Sequence, residues 1–372
     1  MAGLSPIDRA KAQAELTIDL DALVANWRLL AARVAPARCA AVVKADAYGI
    51  GTEQAVRALH RAGCRSFFVA QVSEGVRVRA VTGADAEIYV LNGLIAGVER
   101  LQAYVSYELK PVLGSLADLR LWSSSGLGIK TAAALHVDTG MNRLGFGVDE
   151  LIGLKAMVDT IRVDLLMSHF VSSEVESDPL NDAQIKKFER ARAAFPALAG
   201  SMSNSSALFL PQKPFYDLAR PGYALYGGNP TPGARNPMQP VVSLRTPVLQ
   251  VRDIAAGETV GYNAQWTAKR KTRLATVGVG YADGLPRNLM ATQTRPGGEA
   301  MVNDQRCPYA GRVSMDLTVI DVTDAGDVKP GTMVELIGAQ ITVDDVGERA
   351  GTIGYEVLTN LSRRYHRIYK GA

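Results

Sequence analysis

A lysine directly follows a short apolar segment near the start of the chain. Lys44 comes after residues 39–43, whose sequence CAAVV is typical of a buried strand. Partial withdrawal from water disfavours the ammonium form and lowers the pKa of such an amine. A neutral amine is what Schiff-base formation with a carbonyl compound requires. Taken alone, however, a lysine in this position is more often a solvated loop residue.

Other ionisable side chains follow apolar segments in the same way. Arg143 lies in HVDTGMNRLGFG, His169 in LLMSHF and Arg220 in ARPGYALYG. Each also has a purely structural interpretation, because the arginines can form surface salt bridges and the histidine can be a hydrogen-bonded core residue. Their shared position after apolar segments indicates a site more strongly than any one of them does.

The elements that must position these residues alternate along the first two thirds of the chain. Between apolar segments, residues such as Leu23, Trp27 and Leu30 recur at helical spacing, in a helix that we predict to begin at about Asp21, its candidate N-cap. The predicted strands are 39–43, 66–70, 87–91, 111–113, 132–137, 163–168, 201–203 and 216–219. Eight strand–helix pairs predict a (β/α)8 barrel over residues 14–240, with a doubly wound sheet as the alternative.

The pattern changes after about residue 240. Residues 241–342 are rich in Val, Thr and Ile with closely spaced turn signals, which is typical of an antiparallel sheet. The segment TPGARNP, at 231–237, is a predicted linker. We therefore expect an α/β fold in which the barrel is followed by a mostly antiparallel β-domain at 241–372. The strand 14–19 is expected to join that domain.

The active sites of such barrels lie at the C-terminal ends of the strands, and strands seven and eight commonly bind phosphate. Here Asn204 and Ser205 follow strand seven, and Gly222 and Tyr223 follow strand eight. A glycine in this position allows a phosphate to approach the backbone closely. A phosphate site on the same rim as Lys44 suggests pyridoxal phosphate as the cofactor.

The composition argues against several other classes of protein. The net charge is only +4, so we expect no nucleic-acid partner, and no run of about 18 apolar residues predicts a membrane span. The first twenty residues do not resemble a signal peptide, and three scattered cysteines suit a reducing compartment, so we expect a cytoplasmic protein. The four histidines lack metal-ligand spacing, so we expect no metal.

From about residue 14 to 370 the chain resembles the alanine racemase family. Nine of its motifs follow in the family's order, and together they are far more specific than any one alone: VVKADAYG, HVDTGMNRLGFG, SHF, SNSS, RPGYALYG, GETVGYNAQWTA, VGYADGLPR, GRVSMD and GTIGYEVLTNLSRRY. The resemblance implies an isomerase that interconverts L- and D-alanine with pyridoxal 5'-phosphate and supplies D-alanine for peptidoglycan. It also implies a homodimer with shared active sites.

The resemblance further implies a role for each matching residue. Lys44 would carry the cofactor and serve as one catalytic base, and Tyr262, lent by a second subunit, would be the other. The implied cofactor-binding residues are Lys44, Tyr48, Arg143, His169, Asn204, Ser205, Arg220, Gly222, Tyr223 and Tyr355. The implied substrate-binding residues are Arg143, Tyr281 and Met315. The charge of Arg220, relayed through His169, would lower the pKa of Tyr262 from about 10.

The chain departs from the family pattern at one position. Members often have a lysine, modified by carbon dioxide, seven residues before the arginine that corresponds to Arg143, and here that residue is His136. Imidazole does not form a stable carbamate. A small anion, His136 itself or a different arrangement must therefore steady Arg143.

Three rival functions are weighed against an alanine racemase. Serine is only one hydroxyl larger than alanine, so a broader or serine-specific racemase of the same fold is an alternative. A barrel-type decarboxylase is disfavoured because its C-terminal motifs differ from VGYNAQWTA. A single-barrel cofactor carrier is disfavoured by residues 241–372. Biosynthetic and catabolic roles are not distinguished by the sequence.

Overall fold

The first domain is a closed barrel of parallel strands. The computed structural model describes residues 9–372. Its barrel strands, in chain order, are Arg38–Cys39 with Ala41–Val42, Ser66–Val69, Glu87–Val90, Lys110–Leu113, Ala133–His136, Val163–Met167, Ala199–Ser201 and Leu218–Ala219. Seven of them form one continuous parallel sheet in sequence order. All eight predicted strands are therefore present.

The last strand closes the barrel through backbone hydrogen bonds on both of its sides. On one side, the amides of Ala40 and Val42 donate to the carbonyls of Ala219 and Pro221, at 2.9 and 3.0 Å. On the other side, Arg220 donates to the carbonyl of Ser203 at 2.9 Å. The barrel prediction is thus confirmed, and the doubly wound alternative is wrong.

Helices connect the strands around the outside of the barrel. They are Leu20–Val34, Thr52–Arg61, Val72–Thr82, Val98–Ser106, Leu116–Ser124, Val148–Gly153, Lys155–Val158 and Pro179–Ala194, with short 3₁₀ helices at Ser206–Phe209 and Tyr223–Tyr226 after the last two strands. The first helix begins at Leu20, and the side chain of Asp19 accepts a hydrogen bond from the Ala22 amide at 2.8 Å. The prediction that Asp21 caps this helix is wrong, because Asp19 has the extended backbone that an N-cap needs.

The second domain is built on an eight-stranded sheet. The strands after residue 240 are Val242–Ile254, Thr259–Val260, Trp266–Thr267, Thr272–Val277, Glu299–Val302, Gln305–Pro308, Thr318–Asp321, Met333–Ile337 and His366–Lys370, with helices Val343–Ala350 and Gly354–Thr359. The strand Glu15–Asp19 pairs antiparallel with Val242–Ile254 and parallel with His366–Lys370. This strand thus connects the sheet to the barrel, whose first helix begins directly after it.

The two domains share one hydrophobic core. Leu16 of the first strand, Phe67 of the barrel and Val334 of the sheet are all fully buried in it. Over residues 9–372, no helix combines the length and the apolar character that crossing a bilayer demands.

Candidate active site

A cavity of about 710 Å³ lies at the C-terminal rim of the barrel, where the β-domain covers it. From the β-domain, Ile353, Tyr355, Glu356 and Thr359 line its wall. The predicted site residues that line it are Lys44, Tyr48, Arg143, His169, Asn204, Ser205, Arg220, Gly222, Tyr223 and Tyr355. One cavity therefore gathers residues that are spread over more than 300 positions of the sequence.

Three predicted site residues lie elsewhere on the surface of this chain. Tyr262, Tyr281 and Met315 do not line the cavity, and 68%, 40% and 54% of their surfaces are exposed. Tyr262 begins a 3₁₀ helix, Tyr262–Ala264, between two short strands of the β-domain. Their positions are compatible with a role in the site of another copy of the chain, and not with a role in this cavity.

Lys44 begins an unusual turn of backbone. The next four residues, Ala45, Asp46, Ala47 and Tyr48, all have positive φ angles, between 53° and 55°. Non-glycine residues adopt this left-handed conformation singly, and each instance costs roughly 1–2 kcal/mol. The turn brings both Lys44 and Tyr48 to the cavity wall. The motif VVKADAYG therefore forms a strained segment at the site, which the predicted alternation of strands and helices does not indicate.

The Lys44 amine is tuned toward its neutral form. Burial and then the positive charge of Arg143 lower its pKa, and the carboxylate of Glu74 opposes them. Among the described residues, the amine has no hydrogen-bond or ion-pair partner. The amine is therefore available to a ligand in the cavity.

Ser205, Gly222 and Tyr223 form a cradle across the cavity, at the ends of strands seven and eight. The Ser205 hydroxyl accepts hydrogen bonds from the amides of Gly222 and Ala224, at 3.0 and 3.1 Å. A Cβ atom at Gly222 would lie 2.3 Å from the Tyr48 hydroxyl, so only glycine fits there without a rearrangement. This hydroxyl belongs to a side chain only 6% exposed, and it has no hydrogen-bond partner within residues 9–372. The arrangement can bind the oxygen atoms of an anion.

Stacked tyrosines join the cradle to the β-domain. The rings of Tyr223 and Tyr355 stack with their centroids 3.9 Å apart, and Tyr48 stacks on Tyr226 at 4.5 Å. The Tyr223 hydroxyl donates a 2.7 Å hydrogen bond to Asp344. Tyr355 therefore belongs to the cavity of its own chain.

Arg220 is a buried cation with neutral partners. Its guanidinium is only 4% exposed and donates to the Ser201 hydroxyl at 2.5 Å and to the Ser168 carbonyl at 2.6 Å. Burial lowers its pKa to about 9, so it remains charged at neutral pH. In the described part of the chain no carboxylate pairs with it.

Two histidines of the cavity are neutral. Burial and then the charge of Arg220 lower the pKa of His169 to about 3 and that of His136 to about 4. His136, which lies where relatives often have a modified lysine, lines the cavity together with Arg143, but the two side chains form no hydrogen bond. A neutral imidazole adds no further positive charge beside Arg143.

The loop that carries Arg143 is held from within. The carboxylate of Asp138 accepts hydrogen bonds from the amides of Gly140, Met141 and Asn142, at 2.7, 2.8 and 2.7 Å. Arg143 follows directly, is exposed, and has no acidic partner among the described residues. The loop backbone, and not a contact with His136, therefore sets the position of this arginine.

Sequence reasoning missed residues that support the site from behind. Gln184 is fully buried on the helix Pro179–Ala194. Its side-chain NH₂ donates to the Thr139 hydroxyl at 3.0 Å and to the His169 carbonyl at 2.9 Å, and its side-chain oxygen accepts from the Val171 amide at 2.9 Å. Glu74 accepts a 2.7 Å hydrogen bond from the amide of Ala45. Both lie inside helices, where no motif marks them. The one local signal at Glu74 is its place at the third position of its helix, where a glutamate commonly caps the helix N-terminus.

The fold and the cavity together define a class of protein. It is a two-domain barrel enzyme, with a lysine of lowered pKa after the first strand, an anion cradle after the last two, and a β-domain that covers the rim. The family models for the alanine racemase N-terminal and C-terminal domains match residues 18–230 and 241–369. The chain belongs to the alanine racemase family.

Similar proteins agree over nearly the whole chain. An alanine racemase of Methylobacterium nodulans is 53% identical over 362 residues, which cover 96% of each protein. The structure of alanine racemase from Bartonella henselae with covalently bound pyridoxal phosphate has a TM-score of 0.90 and 38% identity, over 96% of this chain and 100% of that chain. The biosynthetic alanine racemase of Pseudomonas aeruginosa has a TM-score of 0.89 and 34% identity, over 97% and 100%.

Proposed function

We propose that this protein interconverts L- and D-alanine, with pyridoxal 5'-phosphate held in the rim cavity through Lys44. The observation that carries the proposal is the Lys44 amine. It has a lowered pKa and no partner among the described residues, and it shares its cavity with the Ser205–Gly222 cradle. An available amine and an anion cradle are the two features that this cofactor needs from a protein.

The side chains of the cavity suit the charge of the cofactor. Arg143 and Arg220 line the cavity and neither has an ion pair within residues 9–372, whereas Glu356 is its one acidic lining residue. Such a surplus of positive charge is costly unless an anion is bound. A phosphate ester together with the carboxylate of an amino acid supplies that anion. The volume, about 710 Å³, is in the ordinary range for a cofactor site.

Each part of the cofactor has residues that would hold it. The Ser205 hydroxyl, the backbone at Gly222 and Tyr223, and the hydroxyls of Tyr48 and Tyr355 would bind the phosphate. His169 and Asn204 would complete the wall around the cofactor. Arg143 would face the phenolic oxygen and the substrate carboxylate. These roles follow the family resemblance, and the positions on one cavity wall support them.

Racemisation needs two proton carriers on opposite faces of the substrate carbon. Once the substrate amine has replaced Lys44 on the cofactor, the cofactor would draw electrons from the amino acid and make its α-proton acidic, and the released Lys44 amine would be free to carry that proton. The Lys44 amine would hold that proton on the D-alanine face, and the Tyr262 phenol on the L-alanine face. Tyr262 lies outside the cavity of its own chain, so we propose a homodimer in which a second copy lends it. Tyr281 and Met315, both exposed, would come from the same copy to bind substrate.

Arg220 would restrain the reaction. A guanidinium donates hydrogen bonds and accepts none, so a ring nitrogen placed beside Arg220 would act as an acceptor and stay mostly unprotonated. Electron withdrawal by the cofactor would then be weaker beside Arg220 than beside an acid. Arg220 thus favours return of the proton over side reactions such as transamination.

A biological role follows from the activity. We propose that the enzyme works in the cytoplasm and supplies D-alanine for peptidoglycan. Similar proteins named biosynthetic and catabolic have comparable identities, 42% and 44%, so a growth experiment decides between the two roles. Deletion of the gene should then create a requirement for added D-alanine, and unimpaired growth without it would assign the enzyme a catabolic role.

The direct test is to incubate the purified protein with L-alanine in heavy water. Loss of optical rotation, with deuterium appearing at the α-carbon, is the expected result, and Lys44→Ala should show neither. Release of carbon dioxide would instead identify a decarboxylase. A parallel incubation with L-serine measures how strictly the site selects alanine, and equal rates for both would favour the broader racemase.

A further inference from the structure

The left-handed turn after Lys44 must be stabilised by contacts with residues outside the turn. Four consecutive non-glycine residues, Ala45–Tyr48, are left-handed. At roughly 1–2 kcal/mol each, their combined cost is comparable with much of the stability of a domain. Such a conformation persists only when surrounding groups fix it. The groups that fix this turn therefore also determine where the Lys44 amine lies.

The helix Val72–Thr82 supplies the first of these groups. One oxygen of the Glu74 carboxylate accepts a 2.7 Å hydrogen bond from the amide of Ala45, directly after Lys44. The other oxygen accepts from the amides of Ala70 and Gln71, at 2.7 and 3.1 Å. A single carboxylate thus ties the start of the turn to the end of the neighbouring barrel strand.

The same helix also holds the middle of the turn. Arg77 donates a 2.7 Å hydrogen bond to the carboxylate of Asp46, the second left-handed residue. Arg77 is itself fixed by two hydrogen bonds to Glu53, at 2.7 and 2.8 Å. Asp46 further accepts from the amide and the hydroxyl of Thr52, both at 3.1 Å. With Arg77 securing Asp46, Glu74 is left as the group that fixes the residue next to Lys44.

We propose that Glu74 is a positioning residue for Lys44, whose carboxylate holds the left-handed turn and so keeps the amine in the cavity. The inference rests on the proposed function, in which Lys44 carries the cofactor. The charge of Glu74 also acts on the Lys44 amine. Burial and Arg143 lower the pKa of Lys44, and Glu74 is the described acid that opposes them. Glu74 therefore affects both the position and the protonation of the amine.

The test measures the attachment of pyridoxal phosphate to Lys44 in the full chain, after bound cofactor has been removed with hydroxylamine. The attached group is fixed with borohydride, located by mass spectrometry and quantified across a pH series. Glu74→Ala should slow labelling of Lys44 by at least about tenfold, the effect of losing a charge-assisted hydrogen bond. Glu74→Gln keeps one acceptor oxygen but no charge. It should label at an intermediate rate, with the midpoint of its pH dependence shifted to lower pH.

A matched control separates positioning from general stability. Glu99→Gln makes the same chemical change at an exposed glutamate with no described partner, and it should leave the labelling rate and the pH midpoint unchanged. A folded Glu74→Ala with wild-type labelling would overturn the inference. If Glu74→Ala does not fold, an unchanged pH midpoint in Glu74→Gln would overturn it. Failure of the wild-type chain to label at Lys44 would overturn the proposed function as well.

Discussion

The buried guanidinium of Arg220 donates a 2.6 Å hydrogen bond to the backbone carbonyl of Ser168. Its partners in the described part of the chain are neutral oxygens, so its positive charge is not cancelled by a carboxylate. A buried cation held by neutral acceptors keeps its charge available to a ligand on its open side. The predicted effects of changing Arg220 follow from this arrangement.

Replacing Arg220 by glutamate should increase the rate of side reactions such as transamination. A glutamate can share a proton with the ring nitrogen of the cofactor, which strengthens electron withdrawal and lets stray transamination compete. The expected result is pyruvate formed from L-alanine faster than in the wild type, up to about one equivalent per site because the cofactor retains the amino group, measured with lactate dehydrogenase and NADH. Arg220→Lys keeps a cation and should form no extra pyruvate. A folded, cofactor-loaded Arg220→Glu that forms none either would contradict the role given to Arg220.

Replacing Gly222 by alanine should weaken cofactor binding. The added methyl would lie 2.3 Å from the Tyr48 hydroxyl, so either the tyrosine or the cradle must move. Overpacking of this kind costs about 1–3 kcal/mol, which corresponds to roughly a tenfold to hundredfold loss of affinity for pyridoxal phosphate. The affinity is measured by absorbance titration.

Gly153→Ala is the matched control for that substitution. A methyl at Gly153 meets open space at the end of a helix, so cofactor affinity should be unchanged and stability slightly higher. Equal affinities for Gly222→Ala and the wild type would show that the backbone near Gly222 does not approach the cofactor.

The neutral histidines predict a loss of stability in acid. His136 has a pKa of about 4 in the fold, because of burial and the charge of Arg220, against about 6.5 in the unfolded chain. Between these values the unfolded state binds more protons, so the free energy of unfolding falls as the pH falls through this window. Between pH 7.5 and pH 5, the titration of His136 should lower the free energy of unfolding by about 2 kcal/mol.

Urea denaturation of the cofactor-free protein at these two pH values measures the effect. His136→Gln should reduce the acid loss by about that amount, because glutamine does not titrate. An identical slope in His136→Gln and the wild type would show that His136 is not held neutral by its surroundings.

Strand order and the location of the site were predictable from the sequence because both depend on local signals. Each barrel strand is a short apolar segment, and the parallel topology brings the residues after those segments, among them Lys44 and Ser205, to one rim. Even the short eighth strand, Leu218–Ala219, was detectable from its apolar pattern. Fold class was accessible for the same reason.

The supports of the site were not predictable, because they depend on long-range contacts. Nothing in ADAY indicates a left-handed turn, whose energy is offset by Glu74 and Arg77 about thirty residues later in the chain. The choice of Asp19 over Asp21 as the helix cap was likewise decided by backbone geometry outside the helical pattern. The position of Tyr262 in a working site depends on a second chain, which no local pattern encodes.

Because Lys44 lines the cavity and Tyr262 does not, activity should require two copies of the chain. Lys44→Ala and Tyr262→Phe should each lower the rate by at least about a hundredfold, the usual contribution of a proton-transfer group. Coexpression of the two variants should restore about a quarter of wild-type activity. Half of randomly assorted dimers are mixed, and each mixed dimer has one site with both groups intact.

Two differently tagged variants allow the mixed dimers to be purified and assayed alone. Their expected activity is then about half that of the wild type, since one of two sites is restored. The pure Lys44→Ala and Tyr262→Phe dimers, taken through the same purification, are the controls and should stay inactive. If both groups instead acted within one chain, every chain in a mixed dimer would lack one of them. Mixed dimers as inactive as the controls would therefore exclude a phenol lent by the second copy, and a different residue of this cavity would have to carry the second proton.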